Sequence, residues 1–534
     1  MKNINLKKSL VALTTAALVA ALAVVIPTTA RAAGPDCSGT ALPKYPVYDV
    51  QLCKGTDQYG AKYEIAMPKK FNGTLLVWSH GIRKNSNLPP IPVVAPKGYL
   101  VDNSAEIAPT PDIAAKLLKQ GFALAGSGVQ TQGWNLAEQV LATTIVIDQA
   151  IATFPAIDRV AAWGASLGGL SSQILAETNP GLVEAVAPLC LSDSALTEIT
   201  MAGDFLWGVK TLFDPTIKLS NYSSGTTGYM EMVGDIGKVL TVFGTLSAAI
   251  KANPTTPAWP ATSTAPATLK AIPVRSAVLL LGLISGVSTQ SSTYDSSSGP
   301  KGPLETSFGL VISPALAVLE NGAQAAILAV IANYDMEVRY GGVVFDNSTT
   351  NYAARVAEEL DQFAAPLTGR SNATAVLGYL SLMPRVKANA AAVAKMNSVY
   401  QLQGKIEVPT IQLAATADQI APAGAAQYLK NQYEASVASG VSKSGKLLTI
   451  WNKPEDSYTQ FSSAGAPITP AVKTNGTGHC NYTTSQILAV AKLAASAAKT
   501  GKIPSNSAVT AAIKNESNLF VDPNFAPPLL KFRQ

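Results

Sequence analysis

Histidine and charged side chains are scarce in this sequence. Its 534 residues include only two histidines, and charged residues make up 14% of the chain. No block of lysine and arginine occurs, which argues against nucleic acid as a partner. The four cysteines lack the spacing of a zinc site and two histidines offer few ligands, so we expect neither a metal nor a cofactor. The 47% hydrophobic content is typical of a well-buried globular chain rather than a disordered one.

The first 32 residues have the pattern of a secretory signal peptide. Three lysines precede an apolar run at residues 10–26, and small residues around Arg31 indicate cleavage after Ala32. The alternative is an uncleaved membrane anchor, but the run is at the short end for spanning a bilayer. Cleavage takes four cations from a formal charge of +6 and leaves +2. We therefore expect a secreted protein, extracellular or periplasmic, with no stable membrane span after the signal is removed.

Four cysteines follow the signal peptide, at positions Cys37, Cys53, Cys190 and Cys480. An oxidising destination favours disulfides, and four cysteines allow three pairings. Cys37 and Cys53 are close in sequence near the mature N-terminus, so we pair them. This choice leaves Cys190 with Cys480.

Short apolar runs alternate with helical patterns in two parts of the chain. This alternation indicates a mostly parallel sheet with helices on both faces, an α/β fold. The helical patterns cover residues 113–120, 136–154, 170–177, 421–433 and 484–500. The predicted strands cover residues 61–68, 74–79, 122–129, 160–163, 183–191, 408–415 and 446–451.

The alternation stops near residue 193 and resumes near residue 408. The interval contains loops rich in Pro, Thr, Ser and Gly between apolar helical segments such as 311–334 and 353–363. A disordered linker would not have this apolar content. We therefore predict a catalytic domain formed by residues 33–193 and 406–534, and an inserted, mainly helical cap at residues 194–405.

The pattern G-x-S-x-G occurs once at the junction of a predicted strand and helix, as Gly164-Ala165-Ser166-Leu167-Gly168. A serine on so sharp a turn holds a strained backbone conformation with its hydroxyl exposed, and the glycines avoid collisions with neighbouring elements. The alternative is a structural turn with no chemical role. The strand before it and the helix after it favour Ser166 as a nucleophile.

A serine hydroxyl needs a base, and histidine is the usual one near neutral pH. We choose His479 as the base because it lies in a glycine-flanked loop after the last strand, and His80 is the alternative base. The base needs a carboxylate that fixes its tautomer. Asp418 follows a buried strand and lies between serine and histidine in the chain, whereas Asp193, after the strand beyond the serine, is its rival.

The anion formed on attack at a carbonyl needs preorganised N–H donors. The backbone N–H of Leu167, next after the nucleophile, is one candidate. We expect the second from the His80-Gly81-Ile82 turn, where the glycine permits close approach, and choose the N–H of Ile82. His80 then orients this turn.

The G-A-S-L-G, A-T-A-D-Q, G-H-C and H-G-I segments together resemble the α/β-hydrolase family of serine hydrolases. The resemblance covers about residues 36–193 and 406–534. It implies an eight-stranded, mostly parallel sheet with the three chemical side chains at its C-terminal edge, and a lid after the sixth strand. The sequence departs from most lipases in the N-Y-T-T that follows G-H-C. Within this fold a Cys190–Cys480 bond would tether the loop of His479.

These residues predict attack by Ser166 on a carbonyl, formation of an acyl-enzyme and hydrolysis by water. A small-molecule or polymeric carboxylic ester is our first choice of substrate. A secreted peptidase or amidase is the alternative, since the same chemistry cleaves amides, and a non-catalytic binding protein is the third possibility. The apolar run at residues 278–283 either lines an acyl pocket or forms the core of the cap, and we favour the core.

Overall fold

The computed structural model describes residues 34–39 and 50–534, so the predicted signal peptide lies outside the described residues. A ten-stranded sheet runs through the molecule in the order β1-β2-β3-β5-β4-β6-β7-β8-β9-β12. A separate hairpin is formed by β10 and β11. The strands are β1 Asp36–Gly39, β2 Val50–Thr56, β3 Lys62–Pro68, β4 Thr74–Ser79, β5 Ala123–Ser127, β6 Arg159–Ala165, β7 Ala185–Leu189, β8 Thr410–Ala415, β9 Leu447–Asn452, β10 Gln460–Phe461, β11 Pro467–Ile468 and β12 Leu519–Phe520.

The centre of the sheet is parallel and its edges are antiparallel. Strands β5, β4, β6, β7, β8 and β9 pair in parallel, whereas β1, β2 and β3 on one side and β12 on the other pair antiparallel. The central strands β4, β5, β7 and β8 are buried along their whole length, which explains their continuous apolar runs. The sheet exceeds the implied eight strands by the short edge strands β1 and β12.

Helices cover both faces of this sheet. Alternate residues of β4 contact opposite layers: Leu75 and Val77 pack on one side, and Leu76 and Trp78 on the other. The first layer is formed largely by α2 (Leu136–Thr153) and α3 (Leu167–Thr178), with α14 (Ala423–Ala438). The second is formed by α1 (Pro111–Lys119), α15 (Thr484–Thr500) and α16 (Asn506–Ile513). The predicted fold class, an α/β-hydrolase sheet between helical layers, is confirmed.

The interval between β7 and β8 is described throughout and contains ten helices and no strand. Its centre is the helix Ser313–Tyr340, which packs against the helices Ala195–Leu212, Gly225–Ala252 and Val274–Ser285 in a large apolar core. The segment predicted as one helix at residues 353–363 instead forms two short helices, Tyr352–Arg355 and Glu359–Gln362. The helices are α4 Ala195–Leu212, α5 Gly225–Ala252, α6 Ala267–Lys270, α7 Val274–Ser285, α8 Phe308–Val311, α9 Ser313–Tyr340, α10 Tyr352–Arg355, α11 Glu359–Gln362, α12 Arg370–Leu382 and α13 Ala390–Asn397.

Two of these helices, α5 and α9, are long and apolar enough to cross a membrane by length and composition. Both helices contribute side chains to the apolar core of the interval, and core helices of soluble proteins pass the same test. Length and composition are thus weak evidence for a span.

Candidate active site

Ser166 lies at the turn between β6 and α3, at the carboxyl edge of the parallel strands. Its φ of 57° is in the left-handed region, which a residue other than glycine adopts only under strain. The turn is tight because glycine occupies both flanks. A Cβ on Gly164 would lie 2.3 Å from the Gly168 carbonyl oxygen, and a Cβ on Gly168 would lie 2.0 Å from the Ser79 carbonyl oxygen. No larger residue fits either position without a shift of backbone.

The structure brings Ser166, His479 and Asp418 together. The Ser166 Oγ lies 2.9 Å from the His479 Nε2, and the His479 Nδ1 lies 2.9 and 3.0 Å from the two Asp418 carboxylate oxygens. With Nδ1–H donating to the carboxylate, the Nε2 lone pair faces the serine hydroxyl. This is the arrangement in which an imidazole can take the proton of a serine that attacks a carbonyl.

The Asp418 carboxylate is 1% exposed and fully engaged. Its Oδ1 accepts hydrogen bonds from the backbone N–H groups of Ile420 at 2.8 Å and Ala421 at 2.9 Å. Its Oδ2 accepts one from the N–H of Cys480 at 3.2 Å. Backbone donors of this kind stabilise the ionised carboxylate and fix its orientation. Asp418 is therefore held by its own turn and by the loop that carries the histidine.

The histidine loop is anchored next to the end of β8. Thr477 forms a parallel bridge with Ala417, and the N–H of Gly478 donates to the Ala417 carbonyl at 3.2 Å. A disulfide joins Cys480 to Cys190, the residue that follows β7. The structure also contains the other predicted disulfide, Cys37–Cys53. Both pairings match the sequence prediction, and two disulfides indicate an oxidising environment.

The alternative carboxylate, Asp193, and the alternative base, His80, each have other hydrogen-bond partners. Asp193 forms a bidentate ion pair with Arg533, at 2.6 and 3.0 Å, so its carboxylate is engaged by a guanidinium rather than by the imidazole of His479. His80 is 3% exposed and its Nδ1 lies 2.6 Å from the Gly81 carbonyl oxygen. Burial and the nearby Arg83 guanidinium lower the pKa of His80, which keeps the ring neutral.

The expected oxyanion donors are close to the serine. Leu167 is the first residue of α3, so its N–H has no intrahelical partner, and it lies at the positive end of the helix dipole. Ile82 lines the same cavity as Ser166 and Leu167. A Cβ on Gly81 would lie 3.4 Å from the Ser166 Cβ, which shows how closely the Ile82 turn approaches the serine. The N–H groups of Leu167 and Ile82 therefore stay the candidate donors to an oxyanion.

Sequence reasoning missed Gln139, which connects this turn to the serine helix. Gln139 is 1% exposed on α2, and its Nε2 donates to the His80 carbonyl at 3.3 Å. Its Oε1 accepts from the Ser171 hydroxyl at 2.9 Å. A single amide on an otherwise apolar helix face is the signal that could have found it, because buried amides need partners.

A cavity of about 430 Å³, including open solvent at its mouth, leads to Ser166. Its wall is mostly apolar and is supplied by turns at the carboxyl edge of the sheet together with α4 and α9. The lining residues are Ile82, Trp134, Ser166, Leu167, Ser192, Glu198, Ile199, Ala202, Leu328, Ala329, Ala332, Met336 and Ile420. Residues 278–283 are absent from this wall and lie in the apolar core of the interval, as the favoured interpretation held.

Glu198 is the one acidic side chain in this wall, and sequence reasoning missed it. Its Oε2 accepts a hydrogen bond from the Ser192 hydroxyl at 3.2 Å. Burial raises the pKa of Glu198 well above its usual range, and the negative charges of Asp193 and Asp418 raise it further. A carboxyl group in apolar surroundings beside a nucleophile is a candidate for substrate recognition.

One cluster of possible metal ligands occurs within residues 34–39 and 50–534, formed by Asp418, His479 and Cys480. The Cys480 sulfur is bonded to Cys190, and the other two side chains are hydrogen-bonded to each other. Metal ligation by cysteine requires a thiolate, and ligation by histidine or aspartate requires a free lone pair. This cluster therefore does not have the chemistry of a metal centre.

No family model matches the chain, and no curated protein is significantly similar to it. Among solved structures, feruloyl esterase B from Aspergillus oryzae is 11% identical, with 80% of each chain covered and a TM-score of 0.37. The rice cell wall degrading esterase LipA from Xanthomonas oryzae is 12% identical, with 76% of this chain and 82% of that chain covered and a TM-score of 0.28. Pyrococcus horikoshii acylaminoacyl peptidase is 13% identical over 29% of this chain and 25% of that chain, with a TM-score of 0.21. Similarity at this level carries no argument about activity.

Proposed function

We propose that the protein is a secreted serine hydrolase that cleaves carboxylic esters through an acyl-enzyme on Ser166. The observation that carries the proposal is the chain of contacts from the Ser166 Oγ through His479 to Asp418, each 2.9–3.0 Å long. The apolar cavity that leads to Ser166 supports an organic acyl or alcohol group as the bound part of the substrate. The oxidising environment indicated by the disulfides supports secretion.

In the proposed reaction the Ser166 oxygen attacks the ester carbonyl carbon while the His479 Nε2 accepts the serine proton. Asp418 stabilises the imidazolium that forms, and the N–H groups of Leu167 and Ile82 stabilise the oxyanion. The intermediate collapses as the imidazolium donates its proton to the leaving alcohol. Water, deprotonated by the same Nε2, then attacks the acyl group. As the second intermediate collapses, the imidazolium returns a proton to the Ser166 oxygen and the carboxylic acid is released.

The helical interval between β7 and β8 contributes to the cavity that leads to Ser166. We assign residues 194–405 as a cap over a catalytic domain formed by residues 33–193 and 406–534. Leu328, Ala329, Ala332 and Met336 of α9 line the cavity, which supports a role for the cap in substrate selection.

The experiment combines a covalent probe with a substrate panel. A fluorophosphonate should label Ser166 in the wild-type protein but not in Ser166→Ala. Ser172→Ala is a matched control, because the Ser172 hydroxyl is buried on the same helix and donates to the Gly168 carbonyl at 2.8 Å. p-Nitrophenyl esters of graded acyl length should be hydrolysed faster than aminoacyl anilides.

Faster cleavage of the anilides would assign the protein to the amidases. Absence of labelling at Ser166, together with absence of turnover on both series of substrates, would refute the hydrolase proposal.

A further inference from the structure

A second cavity, of about 440 Å³ including open solvent, adjoins the one that leads to Ser166. The two cavities are neighbours, because they share the wall residues Glu198, Ala202, Leu328 and Ile420. Ser166 does not line the second cavity. A substrate with its reacting carbonyl at Ser166 would place a more distant group there.

Three polar side chains line the second cavity, and each has acceptor capacity to spare. The Glu198 Oε1 is buried and has no hydrogen-bond partner among the described residues, and the same is true of the Gln419 Oε1. Gln419 is 5% exposed, and its Nε2 is occupied by Gln324 Oε1 at 2.7 Å. The Ser285 hydroxyl donates to the Leu281 carbonyl at 2.6 Å, which leaves its lone pairs free. A buried acceptor without a hydrogen-bond donor costs free energy. A ligand that donates hydrogen bonds to these side chains would remove that cost.

The charges around Glu198 favour a positively charged donor. The charged groups that act most strongly on its carboxyl are Asp193 and Asp418, both anionic, and both raise its pKa. A cation in the cavity would offset this repulsion and favour the ionised form of the carboxylate. The remaining lining is apolar and includes Met201, Val287, Leu328 and Leu530.

We propose that the second cavity binds the ammonium group of an amine-bearing ester, with Glu198 as its counter-ion and Gln419 and Ser285 as further acceptors. An ammonium group has three N–H donors and no acceptor, so with Glu198 ionised it matches the three side chains that have acceptor capacity to spare. The apolar lining holds the alkyl chain between the amine and the ester. The inference rests on the proposed function and adds a substrate class to it.

The test compares two ligands of equal length, n-hexylammonium and hexan-1-ol, as competitive inhibitors of p-nitrophenyl acetate hydrolysis. In the wild-type protein, the Ki of n-hexylammonium should be lower by about tenfold or more, because a charge-assisted hydrogen bond replaces a neutral one. Equal Ki values, or a lower Ki for the alcohol, would overturn the proposal without the need for any variant.

Glu198→Gln keeps the size of the side chain and removes its charge, so the preference for the ammonium ligand should disappear. The matched control is Glu320→Gln. Glu320 also accepts a serine hydroxyl hydrogen bond, from Ser291 at 2.9 Å, but it lines neither cavity. The preference should survive in the control. A preference that also survives in Glu198→Gln would overturn the role of that carboxylate.

Direct calorimetry separates this inference from the proposed function. Binding of n-hexylammonium to the wild-type protein and to both variants is measured without turnover, and circular dichroism checks that each variant is folded. Ammonium binding without hydrolysis of any ester would support the site and refute the hydrolase. Hydrolysis of esters without a preference for the ammonium ligand would support the hydrolase and refute the ammonium site.

Discussion

The disulfide between Cys190 and Cys480 should support both stability and turnover. It joins the residue after β7 to the residue after His479, across a sequence separation of 290. The double substitution Cys190→Ser, Cys480→Ser removes this link and leaves the other tethers of the loop, including the Gly478 hydrogen bond to Ala417. We expect a histidine that still reaches Ser166, but for a smaller fraction of the time.

The magnitude follows from the length of the loop that the disulfide closes. In the chain-entropy treatment, a separation of 290 corresponds to a stabilisation of about 6 kcal/mol. The Cys37–Cys53 disulfide has a separation of 16, which corresponds to about 3 kcal/mol. For turnover, a loss of about 1.4 kcal/mol of positioning would lower kcat about tenfold. Loss of Cys190–Cys480 should therefore lower both stability and kcat. Loss of Cys37–Cys53 should lower stability alone, and by a smaller amount.

The assay pairs urea unfolding with kcat for p-nitrophenyl acetate, measured well below the unfolding midpoint. Cys190→Ser, Cys480→Ser should lower both quantities, whereas Cys37→Ser, Cys53→Ser should lower the midpoint alone. Wild-type kcat in the first variant would refute the tether. An equal loss of kcat in the second variant would attribute the effect to general destabilisation.

Three further predictions concern the site and its supporting turn. Ser166→Ala should lower kcat by about 10³-fold or more without loss of fold, as measured by ester turnover and circular dichroism. Asp418→Asn should lower kcat by about 10⁴-fold, because the amide favours the wrong tautomer of His479; kcat within tenfold of wild type would contradict this role. Burial lowers the pKa of His80 from its usual value of 6.5, so the unfolded chain binds the proton more tightly and stability falls as pH drops below that value. In His80→Gln, Tm should therefore decrease less at acid pH than in the wild type. If His479→Gln shows this smaller decrease and His80→Gln does not, then His479 and not His80 causes the loss of stability.

The sequence alone identified the three residues that meet at this site, each for a different reason. The turn at Ser166 is specified locally, because only glycine fits at Gly164 and Gly168. His479 was found by scarcity, since a base was needed and the chain has two histidines. Asp418 was found because the carboxyl ends of parallel strands meet at one edge, so a polar residue there is a candidate by topology.

Other features depend on contacts that no local pattern records. The Arg533 partner of Asp193 lies far along the chain, and the pair could not be anticipated from either segment. Glu198 occupies a helix position with no local sign of burial, and the cavity wall around it is assembled from segments far apart in the chain. The edge strands β1 and β12 are too short to produce a periodic signal. The helix predicted at residues 353–363 is interrupted in the structure because tertiary packing overrides a weak local preference.

The position of the ten-helix interval has a consequence for how the protein reaches its native state. Val186 of β7 pairs with Thr410 of β8, so the two halves of the sheet meet only after the whole interval has been synthesised. Until then β7 presents an unpaired, fully apolar edge, a template for association with other chains. Non-local parallel pairing is also slow. Refolding from denaturant should therefore compete with aggregation, and yields should fall as protein concentration rises.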